Sequence, residues 1–99
     1  MSEPDGRRRR ATALRFDPAA GGAPRVVASG AGLIAERILE LAREQGIPVR
    51  EEPALVEALS QLELEQEIPP ELYIAVAEVL VWAYGLEGRA ADRVIPRAD

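Results

Sequence analysis

A strongly apolar stretch over residues 70–84 constrains the fold of this chain more than any other feature. Pro70 suits the first turn of a helix, where the amide that proline lacks has no partner, and Gly85 is typical of a left-handed helix end. Only two charges, Glu71 and Glu78, lie between them. A helix this apolar needs a core on one side and a second contact surface on another. It is too short to span a membrane, which takes about 20 residues.

Composition removes several classes of chemistry. The chain of 99 residues is long enough for one domain with its own core. It has no Cys and no His, which excludes disulfides, thiolate metal sites and a histidine base. No cofactor, no metal and no enzymatic activity are therefore expected. The net charge of −5 argues against general nucleic-acid binding. We recognise no signal peptide, and a cytoplasmic location is the expectation.

The first half of the chain carries two strand patterns and a helix pattern. Residues 11–16 alternate, with Thr12, Leu14 and Phe16 on one face and small residues on the other, where a helix could pack closely. Residues 25–29 are rich in β-branched side chains and predict a strand covered on both faces. Residues 30–45 predict a helix that ends at Gly46. Its apolar stripe comprises Ala31, Ile34, Ala35, Ile38, Leu41 and Ala42.

The second half completes the fold. Residues 48–51 read as a short third strand, and a strand–helix–strand unit with tight connections predicts that strands two and three are parallel. A short helix over 54–62 and an irregular link over 62–68 lead to the apolar helix. The predicted class is α/β, a small mixed sheet of about three strands with a parallel right-handed βαβ crossover, flanked by three helices. Residues 1–9 are expected to form a flexible basic arm, 10–86 the domain, and 87–99 a mobile tail.

Two patterns could indicate a ligand site, one for an anion and one for a metal ion, but in both cases residues typical of such sites are absent. The turn at 29–32 joins a strand to a helix, where backbone amides can hold an anion, but it lacks the third Gly and the Lys of nucleotide-binding loops. A tight turn for close strand–helix packing is the favoured interpretation. The second pattern is a set of carboxylates without His or binding-loop spacing, for which a solvated acidic face is favoured. These are Glu51, Glu52, Glu63, Glu65 and Glu67.

A basic cluster at Arg7–Arg10 supports an alternative function. It could hold an anionic surface or nucleic acid, in which case binding should depend steeply on salt. A solvated arm is the simpler interpretation in a chain of net negative charge.

Short segments along most of the chain, in their order and spacing, resemble the C-terminal cytoplasmic domain of the FlhB/YscU export-switch family of flagellar and virulence type III secretion. They are residues 13–17, 23–24, 26–28, 30–35, 46–48, 66–69, 72–73 and 75–80, with Trp82. The resemblance implies a module that switches export from rod and hook substrates to filament substrates. Its implied partners are export substrates, export-gate proteins or a truncated membrane homologue, at a cytoplasmic position peripheral to the export apparatus.

In that family the domain follows four transmembrane helices and cleaves itself at an Asn-Pro-Thr-His motif. The matching positions here are Gly6, Arg7, Arg8 and Arg9, and the chain contains no Asn. The resemblance therefore implies a free-standing, non-cleaving homologue that acts as a non-catalytic interaction module. The family's first strand is missing, so the sheet is expected to have an open edge if nothing replaces it.

One binding surface carries over from the resemblance. A hydrophobic patch that receives a short motif of early export substrates falls on Ala23, Pro24, Ala77 and Leu80. Alternatively, Ala77 and Leu80 are simply core residues. If the patch is exposed, Leu80→Glu should abolish binding with the fold intact. Glu65 stands where relatives often have Gly, which bears on the shape of the link.

Overall fold

The structure, a computed structural model, describes residues 9–17, 23–87 and 93–98. This described part contains a four-stranded sheet and three α-helices, so the predicted α/β class and mixed sheet are confirmed. The elements in chain order are β1 (Arg10–Arg15), β2 (Arg25–Ala31), α1 (Leu33–Gln45), β3 (Val49–Glu51), α2 (Pro53–Leu59), a 3₁₀ turn (Pro70–Leu72), α3 (Tyr73–Glu87) and β4 (Arg93–Ala98).

The strands lie in the order β2-β1-β4-β3. β1 runs antiparallel to both of its neighbours, and β3 runs parallel to β4. It follows that β2 and β3 point in the same direction, as their connection through α1 predicts, but two strands lie between them. β2 and β3 are the two edges of the sheet.

The prediction of a mobile tail over residues 87–99 is wrong for residues 93–98, which form a strand. Arg93–Ala98 form β4 in the middle of the sheet, between β1 and β3, and Val94, Ile95 and Pro96 are buried. This strand is difficult to predict because a proline inside a short apolar run usually excludes a central strand. Here the pairing of β1 with β4 is interrupted between Ala11↔Arg97 and Leu14↔Val94, which is where Pro96 lies. The missing first strand of the family was expected to leave an open edge in the sheet. In this structure β4 pairs with β1 on the side away from β2.

The core lies on both faces of the sheet. Adjacent residues of a strand point to opposite faces, and in β4 Val94 belongs to one cluster while Ile95 belongs to the other. The larger cluster joins Leu14 to α2 and α3, and the smaller one joins Ala11 to α1. The small residues predicted on one face of β1 are thus covered closely by a helix.

The second strand was expected to be covered on both faces, and this prediction is wrong. β2 is an edge strand in which only Val26 is fully buried. Its β-branched run is short, and the residues after it are small. Part of its outer side is covered instead by the link, whose Ile68 N–H donates to the Pro24 carbonyl at 3.1 Å.

The first helix begins at Leu33 because Gly30 and Ala31 extend β2. Its inner side is lined by buried Ala35 and Ala42, whereas the predicted stripe residue Ile34 is exposed. At its end Gly46 has φ +70°, and the Ile47 N–H donates to the Ala42 carbonyl at 2.9 Å. This is the predicted left-handed cap, with Ile47 packing against the cluster under α1.

Candidate peptide-binding site

An apolar surface pocket of about 400 Å³ lies where the end of β1, the start of β2 and the first turns of α3 meet. Its lining residues are Phe16, Ala23, Pro24, Tyr73, Val76, Ala77 and Leu80. The structure therefore brings together all four residues predicted for a substrate patch, although Pro24 and Ala77 are far apart in the sequence. The other lining residues were not predicted for the site. Phe16 could have been found, because it continues the face of β1 that carries Leu14.

Backbone and side-chain contacts hold the Ala23–Pro24 segment beside α3. The Pro24 carbonyl accepts from Ile68, and the Arg25 guanidinium pairs with the Glu67 carboxylate at 2.9 Å. Directly after the link, the Leu72 N–H donates to the Pro69 carbonyl at 3.0 Å in the 3₁₀ turn that leads into α3. The link thus fixes the two walls of the pocket relative to each other.

The pocket has a buried floor and an exposed rim. Leu80 retains 8% exposure and Val76 retains 1%, and both belong to the larger core cluster. Ala77 is exposed and the Tyr73 side chain is 48% exposed. Leu80 is therefore both a core residue and part of the floor, so Leu80→Glu would place a charge in the core and unfold the site. Ala77 is the better position at which to test binding.

The exposed rim continues along α3 as an apolar surface. Ile74, Val81 and Tyr84 are all exposed, and with Tyr73 and Ala77 they occupy one arc of the helix. The opposite flank is held by Trp82, whose ring lies 5.3 Å from the Arg50 guanidinium. The apolar character of α3 is thus divided between a core side and an exposed side, and exposed apolar surface of this kind marks interaction sites.

The lining of the pocket suits binding rather than chemistry. It carries no charged side chain, and the Tyr73 hydroxyl is its one polar side-chain group. Such a surface binds apolar side chains by removing them from water. Within the described residues there is also no cluster of acidic side chains that could hold a metal ion.

The turn at 29–32 has the packing role that the sequence favours. Ser29, Gly30 and Ala31 are strand residues, and Gly32 makes the turn with φ +62°. A Cβ at Gly30 would collide with the Cβ and Cγ2 atoms of Ile34. The interpretation as a tight turn for close strand–helix packing is confirmed.

The acidic residues do not form one site. Glu51 is the last residue of β3, at one edge of the sheet, and Glu52 follows it. The Glu52 carboxylate pairs with the Arg50 guanidinium at 2.9 Å. Glu63, Glu65 and Glu67 are exposed in the link beside β2, at the opposite edge. Their placement agrees with a solvated acidic surface.

The basic cluster is described only in part. Gly6, Arg7 and Arg8 lie outside the described residues. Arg9 directly precedes β1, and its carbonyl accepts from the Gly32 N–H at 2.9 Å. Arg10 is exposed at the first position of β1.

The fold agrees with that of a known protein, and the sequence matches a known family. The sequence model of the FlhB HrpN YscU SpaS family matches residues 8–83, and the chain belongs to that family. The structure is similar to the crystal structure of the PscU C-terminal domain, with a TM-score of 0.70 and 34% sequence identity over 74% of this chain and 94% of that one. The fold is therefore that of the PscU C-terminal domain.

Two relatives differ in how much of their length is matched. Flagellar biosynthetic protein FlhB of Escherichia coli (strain K12) is 49% identical over 76 residues, which are 76% of this chain and 20% of that protein. The uncharacterized protein YlqH of Bacillus subtilis (strain 168) is 39% identical over 79 residues, which are 80% of this chain and 85% of that protein. The chain thus spans about a fifth of the length of the FlhB protein. In the described residues, no helix is long and apolar enough to cross a membrane.

Proposed function

We propose that this chain is a non-catalytic interaction module of a type III protein export apparatus, and that the pocket beside α3 binds a short apolar segment of early export substrates. The observation that carries the proposal is the convergence of Ala23 and Pro24 with Ala77 and Leu80 on one uncharged pocket. Two distant parts of the chain meet there, and the link holds them in place.

The family supports this role. FlhB of Escherichia coli is a flagellar biosynthetic protein, and the resemblance stated above implies a substrate-binding patch at these four positions. An uncharged pocket with one hydroxyl on its rim fits an apolar anchor residue of a peptide, in the manner of other peptide-recognition grooves. We propose export-gate proteins or a truncated membrane homologue as further partners of the module. The module would meet them at the cytoplasmic side of the export apparatus.

The proposed module does not cleave itself. The family's reaction begins with an Asn side chain that attacks its own carbonyl, and no Asn is present anywhere in this sequence. The matching positions, Gly6 to Arg9, offer neither an amide side chain nor an imidazole. The domain would therefore act in a fixed form rather than as a switch that is set by cleavage.

An amide NMR titration with peptides from the N-terminal segments of rod and hook proteins tests the proposal. We expect saturable shifts at Phe16, Ala23, Tyr73 and Ala77, on the rim and walls of the pocket. A peptide in which the apolar residues are replaced by Ser serves as the control and should cause no shifts. Shifts that are absent, or that are equal for the two peptides, would reject the pocket as a substrate site.

A further inference from the structure

We propose that the outer edge of β2, over Ser29–Ala31, is a second docking site, which takes an extended segment of another protein as an additional antiparallel strand. This goes beyond the proposed function, because it uses a different surface and a different mode of binding. Unpaired strand edges accept such segments through main-chain hydrogen bonds, with side-chain contacts on either face.

The first half of the same edge is already paired in this way. The Val26 N–H donates to the Gln66 carbonyl at 3.2 Å, and the Val26 carbonyl accepts from the Glu65 N–H at 2.6 Å. Arg25 and Glu67 form an antiparallel bridge. The link therefore runs along the start of β2 as a short antiparallel strand. The edge of β2 beyond Val26 is not paired with the link.

The second half of the edge has groups that point away from the sheet. Gly32 donates its N–H to the Arg9 carbonyl, on the β1 side. Because hydrogen-bonded and non-hydrogen-bonded pairs alternate in an antiparallel ladder, the N–H and C=O groups of Ser29 and Ala31 face outward. In the described ranges, no backbone group pairs with these outward groups.

Apolar side chains flank this free edge on both faces of the sheet. On the α1 side, Leu33 is 80% exposed and Ile34 is 60% exposed. On the other side a cleft of about 670 Å³ opens between the sheet and the end of α2. Leu62 and Leu64, the latter 60% exposed, line it together with polar side chains such as Gln61 and Glu63. An added strand would place alternate side chains against Ile34 and into the cleft.

The cleft favours a foreign segment over a second copy of this chain. In a symmetric β2–β2 pairing about Gly30, the side chains offered to the cleft would be those of Ser29 and Ala31, which are far too small to fill it. A segment with Val, Leu or Ile at alternate positions fills the cleft and covers Ile34 at the same time. The occupant we infer is therefore an extended segment with apolar residues on both of its faces.

The edge and the apolar pocket can be tested separately. They lie at opposite ends of β2, and at about 3.3 Å per residue Pro24 and Ala31 are roughly 20 Å apart. The probe is the acetylated and amidated peptide Lys-Thr-Val-Leu-Val-Thr-Lys, titrated into the labelled full-length chain. Two N-methylated versions serve as matched controls, one with the N–H groups of the even residues methylated and one with those of the odd residues methylated. In an added strand only alternate N–H groups face β2, so only one of the two versions should lose the hydrogen bonds to β2.

We expect saturable amide shifts at Ser29, Ala31, Ile34 and Leu64, with binding at least tenfold weaker for one N-methylated peptide than for the other. Equal binding of the two N-methylated peptides, the absence of shifts, or shifts confined to the pocket at Ala23 and Ala77 would overturn the proposal. Concentration-dependent dimerisation in sedimentation that is lost in Ile34→Glu would also overturn it, because it would assign the edge to a second copy. Ile34 is exposed, so this substitution should leave the fold intact.

Discussion

Val94 in β4 lies directly opposite Leu14 in β1, and both side chains are fully buried in the same core cluster. The two residues come from opposite ends of the chain. The family match stops at residue 83, so the strand that joins β1 to β3 lies beyond it. Residues 93–98 therefore supply one of the two inner strands of the sheet.

If β4 is a structural strand, Ile95→Ala should cost about 2–5 kcal/mol in the free energy of unfolding, because Ile95 fills the cluster under α1. Val81→Ala is the matched control, since Val81 is 70% exposed and should change stability by less than about 0.5 kcal/mol. Urea unfolding of both variants measures the difference. A cost for Ile95→Ala no greater than that of the control would mean that the end of the chain is a tail after all.

Glu65 has φ +68°, which makes it the one residue other than Gly with positive φ in the described residues. This conformation costs most side chains about 1–2 kcal/mol, and Gly avoids that cost while losing some chain entropy. Glu65→Gly should therefore stabilise the domain by about 0.5–1 kcal/mol, in keeping with the Gly that the family resemblance implies at this position.

The control for Glu65 is Gln66→Gly, because Gln66 is exposed and does not have positive φ. Thermal or urea unfolding should show that this change lowers stability by about 1–2 kcal/mol, because it adds chain entropy to the unfolded state and removes the hydrogen bond that the Gln66 side chain accepts from the Glu63 N–H. A loss of stability in Glu65→Gly as well would show that residue 65 does not need the left-handed conformation.

The close approach of β2 to α1 predicts coupling between Gly30 and Ile34. Gly30→Ala should destabilise by about 1–3 kcal/mol, because its Cβ would collide with the Ile34 side chain. Ile34→Ala alone should have little effect on so exposed a residue, and it should restore part of the stability lost in Gly30→Ala, because it removes the colliding Cγ2 atom but keeps the Cβ atom 2.7 Å away. A double-mutant cycle by urea unfolding checks this, and additive effects would contradict the packing role of the turn.

The sequence predicts the parts of this fold that depend on local pattern. The alternation in β1, the cap at Gly46 and the apolar side of α3 are all present, because each is determined by neighbours in the chain. β4 was missed because its apolar run is short and contains Pro96, and a gap in the pairing with β1 tolerates that proline. The position of β2 at an edge could not be predicted from its own residues, because strand order depends on pairing between distant parts of the chain.

The candidate site also combines features that the sequence predicts with features that depend on contacts between distant residues. The four patch positions came from the family resemblance, whereas their closure into a pocket with Phe16 and Tyr73 depends on the link that places Pro24 beside α3. Leu80 could not be assigned from the sequence to the core or the surface. It belongs to both, because it packs in the core cluster and forms the pocket floor.

The absence of Asn predicts a chain that does not cleave itself by the family's reaction. Intact-mass spectrometry after prolonged incubation at neutral pH should show one species of full length, because no side chain at Gly6–Arg9 can attack its own carbonyl in the family's manner. Proteolysis by contaminants is excluded by an inhibitor control. Two fragments that arise at a constant rate from this region would disprove the non-cleaving proposal.

The affinity of one rod-protein peptide for two charge variants tests whether the pocket beside α3 binds apolar segments of export substrates. Ala77→Glu places a carboxylate on the rim of the pocket, whereas Ala54→Glu makes the same change at an exposed position of α2, outside the lining of the pocket. Calorimetric titration should show binding at least tenfold weaker in Ala77→Glu and unchanged in Ala54→Glu, with both variants as stable as the parent chain. Equal affinity in the two variants would contradict the account.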